Sequence, residues 1–307
     1  MVNKIIRIGL MGLLGVAANQ CTQHSRLHTI TLDEPADLQD FFAYTGKDIP
    51  SISGHRGGAK NGYPENSIAS MRYTLRHTPA TFEVDPRLTR DSVIVLMHDA
   101  TLERTTNATA KVSDYKWEEL QDLKLKNSNG NMTEHRIPSL DEAIRWARGK
   151  TVLNLDIKDV PKLMYIRAIG NHNAESYVIV TVRNAEQAKY YYERAPHIMF
   201  SAWIKTKEAF DEYDQAVPWE QVAQAYIGPR ITPENKKLIE LLHDQGVMVM
   251  VGAGPSQDKL PDDERADAYR ALIRSGVDII ETDRPVESAK AIQPLIPEDS
   301  PKQRFFE

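Results

Sequence analysis

The sequence holds a single cysteine, Cys21, so no disulfide can form within the chain. Neither sign of charge dominates: 38 basic against 43 acidic residues leave a formal net charge of −5. That balance excludes the strong basic field expected of a nucleic-acid binder, and no run of like charge marks a disordered tail. There is no Gly-x-Gly-x-x-Gly turn of a dinucleotide-binding sheet. Internal repeats and low-complexity blocks are also missing. Beyond the N-terminal leader, no segment is long and apolar enough to span a bilayer. Partners must therefore be argued from a local site.

The leader itself is informative. Lys4 and Arg7 precede an apolar stretch from Ile8 to Ala18, followed by Cys21. Residues 1–21 read as a bacterial-type export signal. The position of Cys21 resembles a lipoprotein signal, in which the cysteine becomes the lipidated first residue and a membrane tether. Cleavage after Ala18, leaving a free thiol, is the alternative. The expected location is the periplasm, or a lipid anchor at the bacterial envelope. Residues 22–48 are polar and without clear period, and read as a tether with room for one short helix. Residues 297–307 read as a C-terminal tail.

Between them, residues 49–296 carry a regular rhythm. Short β-branched or apolar runs stand at Ser51–Gly54, Thr81–Val84, Val152–Asp156, Tyr177–Val182, Ile198–Trp203, Ala223–Ile227, Val247–Val251 and Val277–Glu281. Amphipathic runs separate them, at 68–77, 140–147, 184–194, 207–216, 232–242 and 266–274. Ser139 ahead of Asp141 and Glu142, and Pro233 after Thr232, are helix-start signals. Eight strands alternating with helices point to an α/β fold, the closed (β/α)8 TIM barrel, and roughly 280 residues is the length such a barrel needs. The connection from Val84 to Leu140 is far longer than a βα loop. It includes a β-ribbon at Val93–Met97 and would lie over the C-terminal face, where barrel active sites form.

Polar residues collect at the strand ends. The first strand runs into His55-Arg56-Gly57, followed by Pro64-Glu65-Asn66-Ser67. The second ends Glu83-Val84-Asp85, and alternation points both carboxylates the same way. Such a pair can share a hard cation. His98-Asp99 closes the ribbon, and the third strand ends Asp156-Ile157-Lys158. Trp203, closing the fifth strand, could stack on a ligand or serve as a core or rim aromatic. The Met248–Met250 alternation reads as strand packing.

These residues resemble the glycerophosphodiester phosphodiesterase family. The likeness spans about residues 51 to 290, through His-Arg-Gly, Pro-Glu-Asn-Ser, Glu-x-Asp, His98-Asp99-Ala100-Thr101-Leu102-Glu103-Arg104-Thr105-Thr106, Pro138-Ser139-Leu140-Asp141-Glu142-Ala143 and Gly276-Val277-Asp278 with Thr282-Asp283-Arg284-Pro285. The resemblance implies a TIM barrel of the phospholipase C-like phosphodiesterase type, with a long insertion after strand two. It implies His55 and His98 as catalytic acid and base, and Glu83, Asp85 and Asp156 as ligands of one divalent cation, Ca²⁺ or Mg²⁺. It places Arg56 and Lys158 at the phosphate and Glu65 in support of the site. The implied substrate is a small glycerophosphodiester, cleaved to an alcohol and glycerol phosphate. The family usually has Glu where this chain has Asp156, about 1.5 Å shorter in reach. The alternatives are action on intact or lysophospholipids, and a noncatalytic phosphodiester-binding surface protein. A two-carboxylate glycosidase would leave His-Arg-Gly and Asp-x-Lys without a role.

Overall fold

The computed structural model describes residues 26–58 and 62–307; the expected export signal and Cys21 lie outside the described residues. In chain order the strands are β1 (Ser51–Gly54), β2 (Thr81–Val84), two hairpins formed by β3 (Pro86–Leu88) with β4 (Ile94–Leu96) and by β5 (Lys124–Lys126) with β6 (Met132–Arg136), then β7 (Leu153–Leu155), β8 (Val178–Val182), β9 (Phe200–Trp203), β10 (Val222–Tyr226), β11 (Met248–Gly252) and β12 (Ile279–Thr282). Eight of them close a parallel barrel in the order β1-β12-β11-β10-β9-β8-β7-β2. These are the eight expected strands; β1 and β2 keep the expected ends and the other six shift by at most two residues.

Alternation divides each strand between two environments. Phe82, Val84, Leu153, Leu155, Val178, Val180, Val182, Phe200 and Ala202 face outward into the layer shared with the helices. The opposite residues fill the barrel. Val152, Ile179, Met199, Ala223, Met248, Met250 and Ile279 form its lower, apolar filling. Above them lies a buried polar layer, in which Thr181 donates to Asn154 at 3.0 Å and Gln224 to Ser201 at 3.0 Å. A barrel filled in this way is a rigid platform for side chains at its upper rim.

The six expected helices are present. Ser139 accepts from the Glu142 N–H at 3.2 Å and Glu142 accepts from the Ser139 N–H at 2.9 Å, a reciprocal cap. Two further helices, Lys162–Asn171 and Pro285–Ile292, follow β7 and β12.

The segments expected to be a tether and a tail are packed in the described residues. Ile30, Leu32 and the helix Pro35–Phe42, through Leu38, Phe41 and Phe42, close the lower end of the barrel together with Phe305. The acidic residues between these apolar positions face out, and this hid the stripe in the sequence. The 3₁₀ helix Pro301–Phe305 is pinned by a buried ion pair, Lys302 to Asp48 at 2.6 Å.

The long connection is also folded. Val95, Met97, Leu102, Val112, Leu120, Leu125 and Ile137 make a hydrophobic cluster of its own. The ribbon is tied to the barrel where the Met97 N–H donates to the Asp85 carbonyl at 2.8 Å and the Leu96 N–H to that of Pro138 at 3.0 Å. Among the described residues no helix is long and apolar enough to cross a membrane.

Candidate active site

At the C-terminal end of β1 the chain turns sharply. Arg56 takes a left-handed conformation, φ 52°, followed by Gly57 and Gly58 at 78° and 76°. A side chain at Gly58 would lie 2.7 Å from Pro285, so the turn needs glycine there. The left-handed turn at Arg56 costs on the order of 1–3 kcal/mol. It aims the Arg56 N–H at the Glu83 carboxylate, 2.8 Å away.

Glu83 and Asp85 come from the end of β2 and Asp156 follows β7. Oxygens from these three carboxylates lie within 4.8 Å of one another, a spacing that one metal ion could bridge. The structure thus brings together the three carboxylates named from the sequence, the shorter Asp156 among them. Burial and the neighbouring Asp85 charge hold Glu83 well above the usual carboxylate range. Asp85 is also buried, but the Lys158 charge and the Asn66 hydrogen bond outweigh that and hold it ionised. Lys158 bridges Asp85 at 3.0 Å and Asp156 at 2.6 Å. A cation is thus already drawn between two of the carboxylates. This crowded donor set, with one member pushed toward protonation, fits a divalent cation of oxygen-ligating type.

Asn66 holds this arrangement in place. Its amide donates to Asp85 Oδ2 at 2.6 Å, while its carbonyl accepts from the Asp85 N–H at 2.8 Å. Arg56 reaches Asp85 at 3.9 Å and Glu65 at 3.4 Å. Both Glu65 oxygens are taken by Arg104, at 2.9 and 2.6 Å. Glu65 therefore holds two guanidinium groups, those of Arg56 and Arg104.

The two histidines stand on different elements. His55 sits in the turn after β1 and His98 follows β4. His55 Nδ1 is 2.8 Å from Asp283, and His98 Nδ1 is 2.7 Å from Asp99. In each case the aspartate accepts from Nδ1–H, which selects the tautomer whose Nε2 is left for a reacting group. Arg104 fixes Asp99 at 2.6 Å, and its hydrogen bond holds that carboxyl well below the usual range. Arg87 donates to the His98 carbonyl at 2.9 and 2.6 Å. Burial lowers the His55 pKa, but the Asp283 hydrogen bond and the charges of Glu83, Glu281 and Asp283 push it up to about 10.

The sequence reading missed Glu281 and Asp283 as site residues. Their signal is Glu281-x-Asp283 at the end of β12, the same i, i+2 pattern already used for Glu83-x-Asp85. Burial raises Glu281 above its ordinary range, and only His55 among its main neighbours offsets that. His55, Glu83, Asp156, Glu281, Trp203 and Tyr226 border one cavity of about 230 Å³ at the barrel mouth, floored by Asn154, Thr181, Ser201 and Met250.

Comparison with known proteins decides the family. Residues 55–287 match the sequence model of the glycerophosphoryl diester phosphodiesterase family. The chain belongs to that family. It is similar to the glycerophosphodiester phosphodiesterase of Caldanaerobacter subterraneus, 30% identical over 76% of this chain and 94% of the other. A glycerophosphoryl diester phosphodiesterase of solved structure from Parabacteroides distasonis is 54% identical, with a TM-score of 0.90 over 92% of this chain and 99% of its own. An Oleispira antarctica phosphodiesterase, solved with the product sn-glycerol-3-phosphate, shares the fold at TM-score 0.61 and 20% identity, covering 80% of this chain and 97% of that one. The barrel described above is thus that of a glycerophosphodiester phosphodiesterase, an enzyme of the phosphoric diester hydrolase class.

Proposed function

We propose that this enzyme hydrolyses glycerophosphodiesters to an alcohol and glycerol phosphate by two-histidine acid–base catalysis at one divalent cation. The observation that carries this reading is the convergence of Glu83, Asp85 and Asp156 beside His55 on one rim of the barrel mouth. These three residues would hold the cation, Ca²⁺ or Mg²⁺. When bound, it would neutralise charge that builds on the nonbridging phosphate oxygens.

The chain's own groups divide the remaining work. Arg56 and Lys158 supply fixed positive charge for the anionic diester. One histidine takes a proton at Nε2 from the attacking water as its oxygen bonds to phosphorus. The other delivers a proton from Nε2 to the alcohol oxygen as that P–O bond breaks. Asp283 and Asp99 keep both rings oriented through Nδ1, and Asp283 also stabilises the charged form of His55. Glu65 and Asn66 hold Arg56, Arg104 and Asp85 in position.

The expected envelope location remains part of this proposal. Export would place the enzyme where deacylated lipid head groups arise, and a lipidated Cys21 would keep it there.

The test is substitution of each histidine by asparagine, with products identified by phosphorus NMR. His55→Asn and His98→Asn should each lower kcat by about 10²–10⁴-fold, with unchanged melting temperature. Loss of less than tenfold at either position would remove that residue from the chemistry.

A further inference from the structure

The side of the barrel mouth facing the histidine and the carboxylates is built differently. In the barrel order β9 lies across from β1, and β10 across from β2. Trp203 therefore stands across the cavity from His55, and Tyr226 across from Glu83. Their rings are 5.4 Å apart and form one aromatic wall.

Two cations cover that wall. Lys205 Nζ lies 4.0 Å from the Trp203 ring centre and 5.1 Å from that of Tyr226. The Arg183 guanidinium lies 4.9 Å from Trp203. Arg183 is fixed by the Ile157 carbonyl at 3.0 Å and by Asp156 at 3.4 Å. Among the described residues no carboxylate comes within 4.0 Å of Lys205. Partial burial and the nearby Arg183 charge pull the Lys205 pKa below its ordinary value, consistent with like charges held together. Arg56 and Lys158 stand with the carboxylates, and Arg183 reaches Asp156, which leaves Lys205 as the cation outside that cluster.

A free aromatic face is the usual receptor for a quaternary ammonium. Here protein cations already occupy that place, so an ammonium head group would meet like charge. We infer that this wall is a head-group subsite for glycerophosphodiesters whose leaving alcohol carries its own negative charge, such as a phosphorylated polyol. Lys205 supplies the counter-charge, and Trp203 with Arg183 sets its position. This subsite rests on the hydrolase reading above.

The test uses three diesters: glycerophosphoinositol, glycerophosphoinositol 4-phosphate and glycerophosphocholine. For the cation-loaded enzyme, kcat/KM for the 4-phosphate should exceed that for glycerophosphoinositol by about tenfold, equivalent to one well-placed charge contact. Lys205→Gln should bring that ratio near one. Lys205→Glu should invert it and raise kcat/KM for glycerophosphocholine about fivefold, a gain that a misfolded variant cannot produce. Equal wild-type rates on the inositol pair, or an unchanged ratio in both variants, would overturn the subsite while leaving the hydrolase intact. Absence of turnover on all three diesters would overturn the hydrolase reading, and the subsite with it.

Discussion

Asn66 binds both the carboxylate and the backbone N–H of Asp85 from a left-handed conformation, φ 53°. Asparagine tolerates that conformation better than most residues, so position and chemistry are satisfied together. Removing such a support around a metal ligand typically costs 10–100-fold in metal affinity. Asn66→Ala should therefore raise the cation concentration for half-maximal activity by about that factor, and high cation should restore most of kcat. A purely destabilised variant would not recover, which a cation titration of activity distinguishes. Asp283 acts on the other side of the site. Its hydrogen bond and charge favour the protonated His55, so removing the charge must lower the pKa. In the metal-free Asp283→Asn variant the His55 NMR titration should move from about 10 toward the ordinary imidazole range. At neutral pH the His55 ring then carries its proton for a smaller fraction of the time. An unmoved titration would mean that Asp283 only orients the ring.

At the scale of elements, the strands were legible because both barrel faces bury apolar residues, leaving short runs such as Val178–Val182 that break only at turns. The candidate site at their ends was legible because carboxylates and histidines collected at strand termini stand out against the apolar runs. The helix Pro35–Phe42 was not legible. Its few apolar residues acquire meaning only against the lower barrel end, which is distant in sequence. Asp283 escaped for a different reason: its role depends on β12 closing beside β1, a pairing that no local pattern states. In the proposed mechanism the insertion is the element whose stability matters most, since it carries His98. Leu120 is fully buried in its cluster. Leu120→Ala should cost about 2–5 kcal/mol within this unit. Amide exchange over residues 94–125 should speed up well before that of the barrel strands, with kcat falling as His98 loses its seat. Uniform acceleration across the whole chain would show that insertion and barrel open as one unit.

For the whole molecule, the apolar lower filling and the N- and C-terminal segments that seal it form the base, and the proposed chemistry lies at the upper rim. Net charge contributes little to that division. What matters is the crowding of four carboxylates, Glu83, Asp85, Asp156 and Glu281, in one place, with Lys158, Arg56, Arg183 and His55 packed against them. In the proposed mechanism Glu83, Asp85 and Asp156 hold a divalent cation that the reaction requires, and that dependence is the central claim. The most direct measurement strips the protein with a chelator and follows glycerophosphoglycerol by phosphorus NMR while Ca²⁺ or Mg²⁺ is added back. The account predicts no glycerol phosphate from the stripped protein and saturable recovery of turnover with added cation. Undiminished hydrolysis by the metal-free protein would contradict it.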